Sequence, residues 1–193
     1  IATSGTYEVQ VSKYGFEPTT VTVSLANDVV TIQNFELIPL PSFGFQANII
    51  EAGTGNPIPD AIVNISTDGF EETFSGNSNG QLIINPFFSD NYEITAGKWG
   101  YQTAIITDQF INEITSSMTI ELERGIEDIF SLDLGWEVVG GAPQGIFELG
   151  TPLEVPAPIP GIVVQPGYDV PQDPGTGCYV TGNTLDLENG VLT

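Results

Sequence analysis

Hydrophobic and polar residues alternate along several short stretches of this chain. Polar residues separate Tyr7, Val9 and Val11, and the same alternation runs through residues 92–96. A period of two is typical of a β-strand that buries one face. We expect further strands over residues 19–25, 61–65 and 118–122. No stretch has the period of an amphipathic helix, so the pattern predicts an all-β protein.

The strand pattern recurs because the sequence contains an internal repeat. Residues 7–37 align without a gap with residues 92–122, at a constant offset of 85. The identical positions include Tyr7, Glu8, Lys13, Gly15, Asn27, Glu36 and Leu37, each matched 85 residues later. A repeat of this length corresponds to a small domain rather than to a solenoid unit of about 20–50 residues. We therefore expect homologous β-sandwiches in tandem.

The repeat and the composition divide the chain into three segments. We expect residues 1–40 to be the C-terminal part of a first β-sandwich, 41–124 a complete sandwich, and 125–193 the N-terminal part of a third β domain. Residues 39–41 (Pro-Leu-Pro) break the strand pattern and are predicted to be a linker. Prolines crowd into residues 151–175, which predicts a long surface loop. Since the first copy lacks its front half, we expect the chain to be part of a longer protein.

Three apolar stretches in the last segment are also of strand type. They are residues 130–134, 136–139 and 178–181. Cys178, in the third of them, is the only cysteine, so no disulfide can form within the chain.

The charge balance excludes several classes of function. The chain has 25 acidic residues, three basic residues and no histidine, which gives a net charge of −22. Three basic residues cannot form a phosphate-binding patch, so nucleic acid is excluded as a partner, and an anionic membrane surface would repel the chain. Without histidine, neither a histidine-based catalytic triad nor a histidine metal site can form. No apolar stretch approaches the roughly 20 residues that span a bilayer, so we expect no membrane insertion.

The complete copy carries motifs of a known family. These are residues 53–63 (GTGNPIPDAIV), the Asn79-Gly80 turn and residues 91–101, which end in Gly-Lys-Trp-Gly-Tyr. In this order they resemble carboxypeptidase regulatory-like domains, with Asp60 where that family usually has glycine. The resemblance implies a prealbumin-like, Ig-like sandwich of seven strands that carries no catalytic residue itself.

The last segment is similar to another module. Residues 130–136, 145–150 and 177–183 resemble the opening of a jelly-roll module that is appended to large secreted bacterial proteins, peptidases among them. Phe147 and Leu149 depart from its usual G-x-W-E-R-G pattern, and the second departure removes an arginine. The resemblance implies a partial jelly-roll sandwich in an extracellular or cell-surface protein.

Two patterns are candidates for covalent chemistry. Residues 76–80 match the G-x-S-x-G elbow of serine hydrolases, but a strand pattern follows them and histidine is absent, so we predict a hairpin turn. Lys13 and Lys98 suit either a Ser-Lys dyad or an isopeptide crosslink to an Asn or Asp side chain. We favour a structural role in which the stem of each lysine covers the neighbouring aromatic ring.

Calcium and sugars are candidate ligands. Oxygen-bearing side chains cluster at Asp68, Glu71 and Glu72, at Asp169 and Asp173, and at Asp186, Glu188 and Asn189. Hard cations prefer such oxygens, but no cluster has EF-hand spacing, so Ca²⁺ stays a possibility without assigned ligands. Trp99 and Tyr101 are of the type that stacks on sugars, although we favour packing as the role of aromatic residues that recur in both copies.

The sequence therefore predicts a non-catalytic structural or adhesive segment of a large secreted or cell-surface protein, of the kind that assembles into an extracellular filament. Its expected partners are copies of itself, neighbouring domains and surface glycans. The alternative is an accessory region of a secreted metallocarboxypeptidase or other peptidase whose catalytic domain lies outside this chain. In both cases we assign no catalytic residue, no cofactor-binding residue and no metal ligand.

Overall fold

The computed structural model describes residues 3–139, 147–156, 159, 161–171, 175–181 and 183. These residues form thirteen β-strands and no helix, which confirms the all-β prediction. The strands are β1 (Gly5–Val11), β2 (Thr19–Leu25), β3 (Ser42–Glu51), β4 (Ile62–Thr67), β5 (Phe70–Ser75), β6 (Gln81–Phe88), β7 (Asp90–Gly97), β8 (Ala104–Ile111), β9 (Ser117–Leu122), β10 (Phe147–Gly150), β11 (Val155–Pro156), β12 (Val163–Gln165) and β13 (Cys178–Thr181). Nowhere in these ranges is there a helix with the length and hydropathy needed to cross a membrane.

Seven of these strands form a β-sandwich. One sheet has the order β6-β3-β9 and the other β5-β4-β7-β8. Strands β3 and β9 are parallel, and every other pair in the two sheets is antiparallel. The number of strands agrees with the seven that the family resemblance implies.

The core of the sandwich follows directly from the alternation in the sequence. Alternate residues of β3 and β7 point between the sheets and are buried: Phe45, Ala47 and Ile49 on β3, and Tyr92, Ile94 and Ala96 on β7. The ring of Phe87 stacks between Phe45 and Tyr92, with centroid distances of 4.7 and 4.6 Å. Such stacked rings contribute packing energy beyond the area that they bury.

Residues 76–80 form a turn, but the prediction of a hairpin is wrong. The turn joins β5 to β6, which belong to different sheets, so it crosses the sandwich. The side-chain Oδ1 of Asn77 accepts hydrogen bonds from the backbone N–H groups of Asn79 (2.8 Å) and Gln81 (3.0 Å). These bonds build the turn locally, and Ser78 at its tip is exposed, as a turn residue and not an elbow nucleophile would be.

The internal repeat appears in the strand pairing. Adding 85 to the residues of β1 and β2 gives residues 90–96 and 104–110, which lie in β7 and β8. Both pairs are antiparallel, and Val9 opposite Val21 corresponds to Ile94 opposite Ile106. Strand β7 has an irregularity between Tyr92 and Ile94 that β1 lacks.

The face of β1 that the sequence predicts to be buried is partly exposed. Tyr7 is 36% exposed, whereas its repeat counterpart Tyr92 is fully buried. The reason is that β1 and β2 form a two-stranded sheet, and no second sheet faces them among the residues that the structure describes. The sequence pattern correctly predicts which residues share a face of the sheet. Among the described residues, however, no second sheet packs against that face.

The segment after residue 125 differs from the prediction in its first part. Residues 130–134 and 136–139 are not strands. The Oδ1 atom of Asp128 accepts a hydrogen bond from the Phe130 N–H (2.8 Å), and that of Asp133 accepts one from the Gly135 N–H (2.9 Å). These side-chain bonds bend the backbone, and Phe130 has a φ of 53°.

The later part of this segment contains two small sheets. Strand β10 pairs with β13, so the prediction of a strand at residues 178–181 is confirmed. The proline-rich stretch contributes β11 and β12, which pair with each other. Asn183 holds the segment between β10 and β11, since its Oδ1 accepts from the Leu153 N–H (2.8 Å) and its Nδ2 donates to the Thr151 carbonyl (2.8 Å).

Candidate functional site

Two equivalent turns with aromatic residues on both sides of a glycine are the candidate site. The first turn is residues 13–16 (Lys-Tyr-Gly-Phe), and the second turn is residues 98–101 (Lys-Trp-Gly-Tyr). In each, the last N–H donates to the carbonyl of the lysine, at 3.0 Å in the first turn and 2.9 Å in the second. Gly15 and Gly100 have φ values of 81° and 89°, a backbone region that strongly favours glycine.

The first turn is packed against the sandwich that follows it in the chain. The ring of Tyr14 stacks on Phe70 with a centroid distance of 4.1 Å, and it meets Phe88 edge-on at 5.2 Å. Its hydroxyl lies 3.0 Å from the hydroxyl of Tyr92, which donates to the carbonyl of Phe88 at 2.8 Å. Burial raises the pKa of both phenols, so both stay protonated and neutral at physiological pH.

Glycine is required in the first turn for a second reason. A Cβ atom on Gly15 would lie 2.9 Å from the ring of Phe88, closer than van der Waals contact allows. The turn therefore approaches the sandwich with its backbone, and a side chain at this position would force the ring of Phe88 or the turn to move.

The linker after the first copy is bound to the first turn. The Leu40 N–H donates to the Gly15 carbonyl (2.9 Å), and the Glu17 N–H donates to the Ile38 carbonyl (2.9 Å). Both bonds recur 85 residues later, between Gly125 and Gly100 (3.2 Å) and between Gln102 and Glu123 (2.8 Å). The predicted linker is thus part of a repeated hydrogen-bonded structure.

The second turn also contacts the segment that follows it. Trp99 meets Trp136 edge-on, with a centroid distance of 5.0 Å and an interplanar angle of 90°. The indole N–H of Trp136 donates to Oδ2 of Asp128 at 2.6 Å, which orients the ring. Packing is the role that the sequence favoured for Trp99, and each turn places its first aromatic residue against the next part of the chain.

An ion pair between the buried carboxylate of Glu51 and the exposed guanidinium of Arg124 lies next to the second turn. Arg124 donates through Nε and Nη2 to the two carboxylate oxygens of Glu51, with an Nη2 to Oε2 distance of 3.1 Å. Its guanidinium also lies over the ring of Tyr101, 5.8 Å from the centroid. The hydrogen bonds from Arg124 hold the pKa of Glu51 below its ordinary value although the carboxylate is largely buried. The sequence alone did not predict this pair, although Arg124 is the only arginine in the chain.

This pair gives the free energy of unfolding a defined pH dependence. Because the pKa of Glu51 is lowered in the folded state, the pair stabilises the fold above the unfolded pKa, and this contribution is lost as the pH falls through the folded pKa. We expect Glu51→Gln to be less stable than the wild type at about pH 7, with the difference shrinking below about pH 4. Urea denaturation across this range measures it.

The matched control for the ion pair is Glu121→Gln, which changes an exposed carboxylate on β9. We expect this variant to follow the wild type at every pH. A stability difference between Glu51→Gln and the wild type that is the same at about pH 7 and about pH 3 would contradict the assignment.

The two lysines have separate structural roles. The ammonium of Lys13 lies 5.1 Å from the ring centroid of Phe16, which confirms the predicted cover of a neighbouring aromatic residue. The ammonium of Lys98 instead donates to the backbone carbonyl of Asp60 at 3.0 Å. Neither lysine is buried in the core of the sandwich.

The remaining candidates are not brought together as a site. In the described part of the chain, no group of three or more His, Cys, Asp or Glu side chains is placed to hold a metal ion. Of the predicted calcium clusters, Asp173 and residues 186–189 lie outside the described residues. Cys178 is half-buried, and burial raises the pKa of its thiol.

None of the known protein-family profiles matches this chain. A segment of 118 residues, 61% of the chain, is 27% identical to Bacillopeptidase F from Bacillus subtilis (strain 168). The match spans only 8% of the length of that protein.

Three solved structures are similar to part of the chain at low sequence identity. The streptococcal ancillary pilin is 11% identical with a TM-score of 0.45, and the match covers 63% of this chain and 42% of that one. BcpA, the major pilin subunit of Bacillus cereus, is 11% identical with a TM-score of 0.34, covering 65% and 40%. A putative carbohydrate binding protein from Bacteroides uniformis ATCC 8492 is 12% identical with a TM-score of 0.35, covering 42% and 40%. The chain thus spans less than half of each of these structures.

Proposed function

We propose that this chain is a non-catalytic structural segment of a large secreted or cell-surface protein, in which β-sandwich domains follow one another through rigid aromatic contacts. The domains are those predicted at residues 1–40, 41–124 and 125–193, the central one of carboxypeptidase regulatory-like type. The observation that carries the proposal is the packing of Tyr14 from the first turn onto Phe70 and Phe88 of the next sandwich. A flexible linker has no such contact.

We call the contact of a turn with the domain that follows it a joint. A rigid joint suits a protein that holds a binding surface at a distance from its point of attachment. The stacked ring, the tyrosine hydroxyl pair and the hydrogen-bonded linker restrict how the first hairpin moves relative to the sandwich. Because equivalent hydrogen bonds recur at the second turn, we infer that the same type of joint forms at both turns. A stalk or filament that presents adhesive surfaces to protein or glycan partners needs this property, and a net charge of −22 keeps such a surface soluble in saline surroundings.

Replacing Tyr14 with alanine tests the joint. The variant loses the stack on Phe70 and the contact with the Tyr92 hydroxyl, which together contribute about 2 kcal/mol. We expect the amides of β1 and β2 to exchange with deuterium roughly 30-fold faster, and the radius of gyration from X-ray scattering to increase. Amide exchange in the core strands β3 and β7 should stay slow.

Tyr7→Ala is the control for this experiment, because Tyr7 lies in the same hairpin and its hydroxyl bonds only locally, to the carbonyl of Thr3. This variant should keep the wild-type radius of gyration. If Tyr14→Ala also leaves scattering and amide exchange unchanged, the joint is flexible and the proposed function is wrong.

The second candidate function is an accessory region of a secreted peptidase. The similarity to Bacillopeptidase F over 61% of the chain favours it. In this case the same joints would position a catalytic domain that lies outside these residues. The sequence on either side of this chain in its gene distinguishes the two candidates, because it encodes either a catalytic domain or further β-sandwich repeats.

A further inference from the structure

We propose that Trp99 and Trp136 form a binding site for an alkylammonium group, supplied by a lysine side chain or by a small quaternary ammonium ion. We call the two rings and the hollow beneath them the aromatic corner. The inference stands apart from the proposed function, since a structural segment needs no such site.

The geometry of the aromatic corner suits a compact group. The two indole planes are perpendicular and their centroids are 5.0 Å apart, so the rings form two walls. A hollow of about 140 Å³ lies beside them, and its lining includes Tyr101, Glu127 and Asp128. A second hollow on the same pair of rings is bordered by Leu134, Gly135 and Glu137.

The aromatic rings of the aromatic corner are exposed to solvent, whereas the equivalent ring of the first turn, Tyr14, is covered. Tyr14 is partly buried, stacked on Phe70 and capped at its edge by Phe88. Trp99 and Trp136, in contrast, are 53% and 47% exposed. Two neighbouring indoles with this much exposed surface are costly in water, and exposed aromatic clusters commonly mark a binding site.

Charge favours a cation as the ligand. Aromatic ring faces carry negative electrostatic potential, and ammonium groups bind to them within about 6 Å. Glu127 and Glu137, both exposed, add full negative charges at the rim. Asp128 contributes by holding the ring of Trp136 in place through its indole N–H.

The chain's own cations do not fill the aromatic corner. Lys13 lies over Phe16, and Lys98 donates to the carbonyl of Asp60. Arg124 lies over Tyr101, and its guanidinium is paired with Glu51. Within the described residues, a ligand cation therefore meets two half-exposed indole rings and carboxylates that are not paired with a lysine or arginine.

A sugar fits this arrangement less well. Stacking on a sugar needs a flat platform, whereas these two rings meet at 90°. A neutral sugar also gains nothing from a net charge of −22, which concentrates cations near the surface.

Intrinsic fluorescence tests the proposal directly, because Trp99 and Trp136 are the only two tryptophans in the chain. We expect choline, or Nα-acetyl-lysine methylamide, to change the emission in a saturable way at millimolar concentrations. Binding by choline alone indicates a small quaternary ion as the ligand, and binding by the lysine compound indicates a protein partner. The neutral isostere 3,3-dimethylbutan-1-ol should bind about fivefold more weakly than choline.

Two variants separate the contribution of the carboxylates to cation binding from that of the indole rings. Glu127→Gln with Glu137→Gln keeps both tryptophans, and we expect it to weaken cation binding and to reduce the dependence of binding on salt. Trp99→Leu should weaken binding about fivefold or more, with Trp136 as the remaining reporter. Glu113→Gln, in the turn at the far end of β8, is the matched control and should bind as the wild type does.

Three results would overturn the proposal. One is the lack of any saturable change with either cation while circular dichroism shows a folded protein. Another is equal binding of choline and its neutral isostere, which would mean an apolar cleft without cation recognition. The third is saturable binding of a disaccharide such as cellobiose together with no binding of either cation. That result would indicate a glycan site.

Discussion

Replacing Gly80 with alanine is expected to lower the free energy of unfolding of the sandwich by about 3 kcal/mol or more. Gly80 has a φ of 67°, where an L-residue costs about 1 kcal/mol. A Cβ atom there would also lie 2.6 Å from the carbonyl oxygen of Ile49 and 2.9 Å from the nitrogen of Ile58. These backbone atoms cannot move away without weakening hydrogen bonds. The Ile49 N–H donates to the Gly80 carbonyl, and the Ile58 N–H donates to the Ile49 carbonyl.

The variant Gly53→Ala separates the cost of the backbone conformation from the cost of the close approach to Ile49 and Ile58. Gly53 has a similar φ of 77°, but a Cβ atom there meets nothing within 4 Å. We expect this variant to lose only about 1 kcal/mol, the cost of the backbone conformation. Urea denaturation followed by circular dichroism measures both, and equal midpoints at unchanged m-values would show that the close approach at Gly80 is unimportant.

Replacing Tyr92 with alanine is expected to lower the free energy of unfolding by about 3–5 kcal/mol. Its ring is fully buried and stacked on Phe87, and its hydroxyl bonds to the carbonyl of Phe88. The truncation leaves a cavity in the core and an unsatisfied carbonyl at its edge.

Tyr7→Ala is the matched comparison, because the same residue type occupies the equivalent position of the first copy. Tyr7 is 36% exposed, so we expect a loss of less than about 1 kcal/mol. The same denaturation experiment measures both variants. Similar losses at Tyr7 and Tyr92 would mean that the face of β1 is covered in solution by a part of the protein that the structure does not place there.

This comparison shows how far the sequence predicts the fold. A period of two correctly identified β1, β2, β4, β7 and β9, because alternation is a property of a single strand. Whether the apolar face becomes buried depends on a second sheet. The sequences of β1 and β7 are nearly interchangeable in pattern, so no property of β1 alone distinguishes the exposed Tyr7 from the buried Tyr92.

The wrong strand predictions after residue 125 have a local cause. Residues 130–134 alternate as a strand does, but Asp128 and Asp133 hydrogen-bond to backbone N–H groups two residues ahead. Aspartate at such positions is a known turn signal, and here it outweighs the alternation of the apolar residues.

The candidate site was predictable only in part. Repetition in the sequence singled out the lysines and aromatic residues of the two turns. It did not identify Phe70 and Phe88 as the surface that receives Tyr14, because these residues are distant in sequence and belong to different sheets. The Glu51–Arg124 pair was missed for the same reason, since the two residues lie 73 positions apart.

The parallel pairing of β3 with β9 has a mechanical consequence. These are the first and last strands of the sandwich, and six residue pairs join them, from Gln46 opposite Ser117 to Glu51 opposite Leu122. When a pull on the chain enters at the start of β3 and leaves at the end of β9, it slides the two strands along each other in opposite directions. All the hydrogen bonds between them then bear the load together instead of opening one after another, so the sandwich resists traction along the direction of the chain.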